Sequence, residues 1–376
     1  MTAPHEEYLP APDVQSHAAN LMPLPGGDLG CAWFSGTQEG LSDIDVWFSR
    51  RAGGAWSEPV RISDDPTRSE QNPVLFPTPG GELWVLYTAQ RAGNQDTAEV
   101  RVRTSTDDGR SWGPARTLIP ASADGGVFVR QPVVVLDSGR WLLPVFRCPR
   151  PATGRWRGDH DTSAVLVSDD EGRTWRSHEV PGSTGCVHMN VVVLADGELL
   201  ALFRRRQADF VHSSRSADGI TWSEPEPTEL PNNNSSIQAV VLSDGAVALV
   251  HNASSAEQAT ERRASLYDEI DDGGPEESTS DLPGLAFWGA PRAPLTLAVS
   301  TDGGRSWPVR RDVETGDGHC LTNNSRDGLN RELSYPSLAQ TADGALHIAF
   351  TYHRRVIKHV VVDRTWAHSE PSCHAS

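Results

Sequence analysis

One hairpin pattern recurs six times along the chain, and it constrains the fold more than any other feature. Each copy is a β-prone run, a glycine-bearing turn and a second β-prone run. The turns are centred on Gly27, Gly81, Gly139, Gly197, Gly245 and Gly344. The first five follow one another every 48 to 58 residues, and a polar insertion lengthens the last interval to 99. Such regular spacing predicts an architecture built from repeated units.

A second motif follows most of the hairpins, with the pattern Ser-x-Asp-x-Gly-x-Ser/Thr-Trp. Clear copies, the third one residue shorter, occupy residues 105–112, 168–175, 216–222 and 300–307, and degraded copies occupy 49–56 and 361–366. Aspartate accepts backbone N–H bonds in a tight turn, glycine adopts a left-handed backbone, and tryptophan packs beneath the turn. We therefore predict that these motifs are structural turns without a chemical role.

Together the repeats predict an all-β fold, a six-bladed β-propeller of four-stranded antiparallel blades. The 33 glycines and 27 prolines of the chain fit a fold rich in turns. Only ten residues follow Trp366, so we expect residues 6–10 to supply the outer strand of the last blade. We predict one domain over residues 1–376, with a polar insertion at about 254–290 in blade five. A disordered surface loop and a lid remain alternatives for that insertion.

The charge and the cysteines limit the classes of partner and the cellular location. A formal net charge of -17 repels nucleic acids and anionic membranes, so we expect neither as a partner. The chain shows no signal-peptide pattern and no apolar run of membrane length, and its five cysteines are scattered without a CxxC motif. We expect reduced thiols, a cytoplasmic location, a small-molecule or carbohydrate substrate, and no cofactor or metal. The oligomeric state stays open.

Strand order assigns the loops of a propeller to two faces. The glycine turns and the tryptophan motifs share one face, and the starts of the innermost strands share the other with the loops after the second strands. Nine residues before each reference glycine, blades two to six carry Asn72, Arg130, His188, Ser236 and Tyr335. In blade one, a count of ten for a looser turn reaches His17. We predict a ring of six polar side chains at the channel mouth, although a merely hydrated channel would also be polar.

The tryptophan motifs are Asp boxes, and the chain resembles the sialidase (neuraminidase) superfamily of BNR-repeat propellers over nearly its whole length. The segments SHAAN, NPVLF, LPNNNSSIQAV, SYPSLAQTADG and RVIKHVVV resemble its bacterial "predicted neuraminidase" branch in particular. Sialidases hold a substrate carboxylate with three arginines. They use a tyrosine nucleophile, a glutamate that assists it, and an aspartate that acts as the acid–base catalyst. They are exceptions to the usual two-carboxylate mechanism of glycosidases. The resemblance implies Tyr335 as the nucleophile, with Arg204 and Arg292 as the second and third arginines.

The sequence departs from the sialidase pattern at two places. His17 stands where the first arginine belongs, and His188 stands where the helper glutamate belongs. Since a charge-assisted hydrogen bond contributes roughly 1.5–3 kcal/mol, one missing arginine weakens carboxylate binding by about ten- to a hundredfold. The expected substrate is therefore an acidic or deoxy-sugar glycoside rather than sialic acid itself.

The hypothesis assigns a role to each candidate residue. Tyr335 attacks or stabilises the electrophilic carbon, His188 or Glu332 takes its proton, and the leaving oxygen is protonated from the loop after the second strand of blade one. That loop offers two acids, Glu39 and Asp43. The residues expected to bind the substrate are Arg204, Arg292, Arg130, His17, Asn72 and Gln238.

Three classes of function stay open at this point. The first is a sialidase-like glycoside hydrolase. The second is an enzyme of the same fold with other chemistry, such as a lyase, isomerase or cyclase in bacterial polysaccharide or specialised metabolism. The third, a non-catalytic carbohydrate-binding propeller, is favoured least, because candidate acids, bases and arginines share one face. The fold by itself does not separate them.

Overall fold

A computed structural model describes residues 4–270 and 284–368 and confirms the six-bladed propeller. The chain begins with β1 (His5–Tyr8). Blade one contains β2 (Gln15–Pro23), β3 (Leu29–Gly36) and β4 (Asp45–Ala52), with the short β5 (Ala55–Trp56) and β6 (Val60–Arg61) along β4. Blade two contains β7 (Ser69–Pro77), β8 (Leu83–Arg91), β9 (Asn94–Ser105) and β10 (Arg116–Ile119). Blade three contains β11 (Gly125–Val129), β12 (Val134–Val135), β13 (Trp141–Pro149), β14 (Thr162–Ser168) and β15 (Arg176–Glu179).

The remaining blades follow the same order, from the innermost strand outward. Blade four contains β16 (Cys186–Val193), β17 (Leu199–Arg205), β18 (Phe210–Ser216) and β19 (Glu226–Pro231). Blade five contains β20 (Gln238–Val241), β21 (Val247–Asn252), β22 (Leu295–Ser300) and β23 (Val309–Glu314). Blade six contains β24 (Leu333–Gln340), β25 (Leu346–Tyr352) and β26 (Val356–Val362). A 3-10 turn at Ala256–Gln258 and the helix α1 (Arg364–His368) are the helical elements of the described chain.

The N-terminal strand closes the ring, as the sequence predicts. Strand β1 pairs antiparallel with β26 and becomes the outer strand of blade six. The Glu7 carboxylate accepts hydrogen bonds from Arg51 Nε at 2.6 Å and Trp56 Nε1 at 3.1 Å, both in blade one. It also lies 2.7 Å from His359 Nδ1 in blade six. One carboxylate therefore joins the first blade to the last.

The Asp boxes are structural turns, in agreement with the prediction. Asp107 accepts hydrogen bonds from the backbone N–H of Ser111 at 2.8 Å and from its hydroxyl at 2.6 Å, and these bonds lower the pKa of Asp107 to about 2. Gly109 has a φ of 79°, and a Cβ there would lie 2.6 Å from the Phe48 ring of blade one. Glycine thus permits both the turn and close packing of neighbouring blades.

Side chains of the innermost strands join neighbouring blades around the channel. In each case an amide or hydroxyl oxygen accepts a backbone N–H bond from the next blade, which satisfies a buried donor. Such bonds run from Leu75 to Asn20 Oδ1 (2.8 Å), from Ala239 to Asn190 Oδ1, from Leu338 to Gln238 Oε1 (2.7 Å) and from Leu21 to Ser337 Oγ (2.8 Å). The amide oxygen of Gln238, expected to bind the substrate, is therefore engaged in joining blades five and six.

Four innermost strands carry a β-bulge at their start, and a residue in each bulge has a left-handed backbone. These residues are Ala18 (φ 62°), Asn72 (50°), His188 (52°) and Tyr335 (51°). Such a bulge turns a side chain away from the regular alternation of the strand. The prediction that His17 is the sixth member of the ring is wrong, because Ala18 occupies the equivalent bulge.

The cause of this error is the hairpin turn of blade one, which is not looser than the others. Its bonds from Leu24 N to Asp28 O (2.8 Å) and from Gly27 N to Leu24 O (2.9 Å) match the bonds at Thr78 and Gly81 in blade two. A count of nine residues therefore applies to blade one as well, and the ring position there is apolar.

Cysteines 31, 148, 186 and 320 are buried free thiols, and Cys373 lies outside the described residues. Within residues 4–270 and 284–368, no helix is long and apolar enough to cross a bilayer.

The contacts of Glu7 predict how the ring responds to mutation and acid. Burial alone raises the pKa of Glu7, but hydrogen bonds from His359 and Arg51 outweigh it and lower the pKa to about 2. Since the folded-state pKa is depressed, the stabilisation is present above the unfolded pKa near 4.5 and is lost as the pH falls towards 2. Glu7→Gln should lower the free energy of unfolding at pH 7 by about 1–2 kcal/mol, since the side chain is partly exposed.

Denaturant unfolding at pH 7 and pH 3 measures this effect, and Glu58→Gln on the exposed surface is the matched control. The difference between Glu7→Gln and the wild type should shrink at pH 3. An equal effect of the two substitutions would contradict the assigned role of Glu7 in ring closure.

Candidate active site

Tyr335, Arg204 and His188 meet at the channel mouth, although they come from blades six and four. Arg204 Nη1 donates to the Tyr335 hydroxyl at 2.6 Å and lies 3.4 Å from His188 Nε2. Arg204 Nε donates to Asn234 Oδ1 at 2.8 Å, which fixes the plane of the guanidinium. The phenol and the imidazole therefore contact the same guanidinium nitrogen.

A second cluster surrounds Glu332. Its two carboxylate oxygens lie 3.1 Å from Arg292 Nη1, and Oε2 lies 3.1 Å from Arg354 Nε. Burial alone raises the pKa of Glu332, but Arg292 and Arg354 outweigh it and hold the pKa well below its usual range. Among the described residues, no hydrogen bond joins Glu332 to Tyr335. The carboxylate is therefore a fixed anion that orients arginines, and this argues against the role of proton acceptor expected for it.

Arg354 is the main residue of the cluster to which the sequence analysis assigns no role. It follows β25 in blade six, donates to Glu39 Oε2 at 2.6 Å through Nη1, and places Nη2 3.5 Å from His17 Nε2. His17 stands where the resemblance expects an arginine, so a guanidinium from blade six occupies the neighbourhood of the missing one. The available signal was its position in a loop after a second strand, on the same face as Tyr335.

The Arg130 guanidinium donates its hydrogen bonds to acceptors of the protein itself. Its nitrogens donate to Ser236 Oγ (3.1 Å) and to the carbonyls of Ala18 (3.3 Å), Ala19 (3.0 Å), Tyr335 (3.2 Å) and Pro336 (3.2 Å). The guanidinium also lies 5.3 Å from the centre of the Tyr335 ring. Arg130 thus holds three blades around the tyrosine, and its three nitrogens already have acceptors in the protein.

The other predicted residues lie at different distances from the centre. Glu39 is buried against Arg354, whereas Asp43 accepts bonds from Thr37 N (3.2 Å) and Oγ1 (2.5 Å) in the more exposed part of the same loop. Asn72 occupies its bulge with Oδ1 buried and unpaired among the described residues. The geometry brings Glu39 into the cluster and leaves Asp43 at its rim.

Positive charge exceeds negative charge in this buried cluster. Arg130 and Arg204 make no ion pair with a carboxylate among the described residues, and Arg204 Nη2 has no hydrogen-bond partner there. Burial lowers the pKa of Arg204 to about 9, so it stays a cation at neutral pH. Burial, together with Arg354 and Arg204 respectively, lowers the pKa of His17 and His188 well below the usual range, so both are neutral. The site is therefore prepared to bind an anion.

The described parts of the insertion, 254–270 and 284–290, pack against this face, in the position expected of a lid. Tyr267 Oη accepts bonds from Gln90 Nε2 (2.8 Å) and Gln95 Nε2 (3.1 Å) of blade two. The Trp288 ring centre lies 5.7 Å from Arg204 Cζ. Residues 271–283 lie outside the described part of the chain. Tyr335 is only 5% exposed.

Asp161 of blade three, which follows Asp159 and His160 in the chain, has structural contacts of its own. Asp161 accepts two bonds from Arg206, at 3.0 and 2.6 Å, and one from Trp156 Nε1 at 2.8 Å. Over residues 4–270 and 284–368, no group of three metal-ligating side chains is found. Asp161 thus neutralises the arginine next to the site.

The six blades, the Asp boxes and the arginine-lined mouth define a propeller of the sialidase superfamily. Residues 27–348 match the family model described as a BNR repeat-like domain, and the chain belongs to this family.

Solved structures agree on the fold. The chain is similar to the Hadza microbial sialidase Hz136, with a TM-score of 0.68 and 15% identity, over 94% of this chain and 66% of that one, just under two thirds of its length. It is similar to the intramolecular trans-sialidase from Ruminococcus gnavus, with a TM-score of 0.67 and 13% identity, over 97% and 99% of the two chains. A Dyadobacter fermentans protein of unknown function has a TM-score of 0.68 and 16% identity, over 97% and 100%. Identities this low show a shared fold alone. No curated protein sequence matches the chain.

The ion pairs of Arg354 predict a large stability effect. Arg354→Met would leave Glu39 and Glu332 buried with fewer cations, which should lower the free energy of unfolding by about 3–5 kcal/mol. The neighbouring Arg355→Met is the matched control, because Arg355 is exposed and should cost within about 0.5 kcal/mol. Denaturant unfolding of both variants measures the difference, and equal effects would contradict the geometry.

The neutral His188 predicts loss of stability in acid. Because its folded-state pKa is depressed, the unfolded chain takes up a proton near pH 6.5 that the folded chain excludes. Stability should therefore fall as the pH drops below about 6.5, by up to about 1.4 kcal/mol per pH unit for this group. His188→Asn should flatten the stability profile between pH 6.5 and 4, whereas His178→Asn on β15 should not. An unchanged profile for His188→Asn would show that the histidine binds its proton equally well in the folded and unfolded chains, which would contradict the depressed pKa.

Proposed function

We propose that the protein is a sialidase-like glycoside hydrolase that acts on an acidic or deoxy-sugar glycoside. The observation that supports this most is the 2.6 Å bond between Arg204 and the Tyr335 hydroxyl, within a buried cluster whose cations outnumber its carboxylates. A phenol beside unbalanced guanidinium groups is suited to carry negative charge during attack on carbon. The same groups are suited to hold an acidic substrate.

The anion of the substrate binds where guanidinium groups have free donors. Arg204 Nη2 is one such donor, and Arg292 lies across the phenol, with its Cζ 5.6 Å from the Tyr335 ring centre. Arg354 supplies the third cation from blade six, beside His17. Planar guanidinium groups bind carboxylates through paired hydrogen bonds, which supports a carboxylate as the bound group.

Tyr335 is the nucleophile of this proposal. A neutral oxygen nucleophile avoids the repulsion that a carboxylate nucleophile would meet beside an anionic substrate. His188 is neutral, and its ring centre lies 5.7 Å from that of Tyr335, so we assign to it the proton that Tyr335 loses. Glu332 is left to orient Arg292.

The acid that protonates the leaving oxygen comes from the loop after β3. Asp43, at the rim, is placed for a leaving group that points to solvent, whereas Glu39 is tied to Arg354. We favour Asp43 for this reason. Glu39 then serves to hold Arg354 in place.

A second candidate function is a reaction at the same site in which the sugar is not transferred to water. The phenol is 5% exposed, and two of the structural neighbours bear the name intramolecular trans-sialidase, one of them in complex with 2,7-anhydro-Neu5Ac. A phenol this little exposed, beside an Arg204 that lies against the Trp288 ring, favours attack by a hydroxyl of the same sugar, or elimination, over attack by water. The two candidates differ in whether oxygen from water enters the product.

Turnover of synthetic glycosides tests the proposal. Aryl glycosides of acidic sugars and deoxy sugars should release a fluorescent aglycone, and Tyr335→Phe should lower kcat by about two orders of magnitude or more, because the nucleophilic oxygen is lost. Tyr352→Phe is the matched control, since Tyr352 belongs to the same hairpin and its hydroxyl makes no bond to Arg204. Mass spectrometry of the product made in H2 18O separates hydrolysis, which incorporates the label, from intramolecular transfer or elimination.

Two results would overturn the proposal. Inertness over the whole panel, with binding of the same sugars retained, would leave a carbohydrate-binding propeller. Full activity of Tyr335→Phe would remove the phenol from the mechanism.

A further inference from the structure

A cavity enters the central channel from the face of the glycine turns, which is opposite to the face of Tyr335. Its volume is about 470 Å³, within the range of small-molecule binding sites. The innermost strands of blades one, four, five and six line it, together with Pro132 of blade three. Ser243 follows β20 and Gln340 ends β24, so these two residues mark the opening at the glycine turns.

The wall of this cavity is mostly apolar and carries no formal charge. Aliphatic side chains form most of it, among them Val191, Val240 and Leu338. No charged side chain is among the described residues that line it, although the chain as a whole has a net charge of -17. A charged ligand would lose its hydration there without gaining an ion pair. The occupant that fits is therefore a neutral molecule with an apolar body.

Gln238, the first residue of β20, supplies one polar group at the inner end of the cavity. The side chain is only 3% exposed, and its Oε1 accepts the backbone N–H of Leu338 at 2.7 Å. Since a backbone N–H can only donate, this bond fixes the orientation of the amide and leaves Nε2 as its other end. Nε2 donates to no acceptor among the described residues. A buried donor without an acceptor costs free energy, so a ligand that supplies an acceptor is favoured.

The other two side-chain amides of the cavity are already bonded to the protein at both ends. Besides accepting a backbone N–H through its oxygen, Asn190 donates from Nδ2 to Val191 O at 3.4 Å. Gln340 likewise accepts through its oxygen and donates from Nε2 to Gly344 O at 3.2 Å. The amide nitrogen of Gln238 is therefore the side-chain amide group that remains for a ligand.

We propose that this cavity is a second ligand site, which binds a neutral molecule that has an apolar body and a carbonyl oxygen. The apolar body lies along the aliphatic wall, and the carbonyl oxygen accepts a hydrogen bond from Gln238 Nε2. Ketones, esters and amides belong to this class. Carboxylates do not, because the wall offers them no cation.

The cavity is distinct from the candidate active site. Neither Tyr335 nor Arg204 is among the described residues that line it. The two sites approach each other in blade five, because Ser236 Oγ, two residues before Gln238, lies 3.0 Å from His188 Nδ1. The inference does not depend on which reaction the active site performs.

Binding of three small probes tests the inference without any glycoside. The probes are benzylacetone, which is a ketone, the hydrocarbon butylbenzene and the anion phenylbutyrate, and ligand-observed NMR measures their binding to the full chain at pH 8. The ketone should bind to the wild type, and the carboxylate should bind about tenfold more weakly or less. Gln238→Glu keeps an oxygen for Leu338 N but loses the donor, so the preference for the ketone over the hydrocarbon should fall by about tenfold.

A second variant, Val193→Trp, tests where the ketone binds. Val193 lines the cavity and is 39% exposed, so an indole there should fill the opening without unfolding the chain. Ketone binding should weaken by on the order of tenfold or more. Val60→Trp on β6 is the matched control, because Val60 is 50% exposed and does not line the cavity.

Four results would each overturn the inference. They are no binding of the ketone to the wild type, wild-type binding by Val193→Trp, equal binding of benzylacetone and phenylbutyrate, and an unchanged preference for the ketone in folded Gln238→Glu. Circular dichroism shows whether Gln238→Glu folds, and the other comparisons decide the question if it does not. None of these results bears on whether Tyr335 attacks a glycoside.

Discussion

Closure of the ring is the constraint on which the rest of the structure depends. Residues more than 100 positions apart, such as Arg204 and Tyr335, meet only because six sheets share one channel. The closure is made by local bonds: Glu7 joins blade six to blade one, and side-chain oxygens such as Asn20 Oδ1 accept backbone donors of the next blade. These bonds join neighbouring blades, and none of them uses Arg204 or the Tyr335 hydroxyl.

The bulges at the starts of the innermost strands turn this scaffold into a site. A regular strand would alternate its side chains between the two faces of the blade. The left-handed residue in the bulge breaks the alternation and directs His188 and Tyr335 to the channel. A backbone that is unfavourable for such residues persists because Arg130 binds the carbonyls of Ala18, Ala19, Tyr335 and Pro336 across the channel. The cation most central to the site is thus also part of its scaffold.

Much of the fold was predictable from the sequence, because propeller repeats are local. An Asp box is specified within eight residues, and hairpins of constant length place Tyr335 and His188 at equivalent positions. The same count failed by one residue in blade one, where the assumption of a looser turn selected His17 in place of Ala18. Ion-pair partners were not predictable, since the pairing of Glu332 with Arg292 and Arg354 depends on how the loops of two blades meet. The engagement of Arg130 by carbonyls leaves no sequence pattern at all.

The position of Arg354 changes how the loss of the first sialidase arginine is to be understood. A histidine at position 17, neutral by burial and by its cationic neighbour, removes one charge from blade one. Arg354 returns a charge from blade six, with Nη2 3.5 Å from His17 Nε2, and Glu39 and Glu332 hold it from two sides. The guanidinium beside position 17 therefore arrives from blade six rather than from blade one, and two carboxylates fix its direction. A substitution in the innermost strand of one blade is thus accompanied by a cation from the loop of the neighbouring blade, which ring closure brings to the same place.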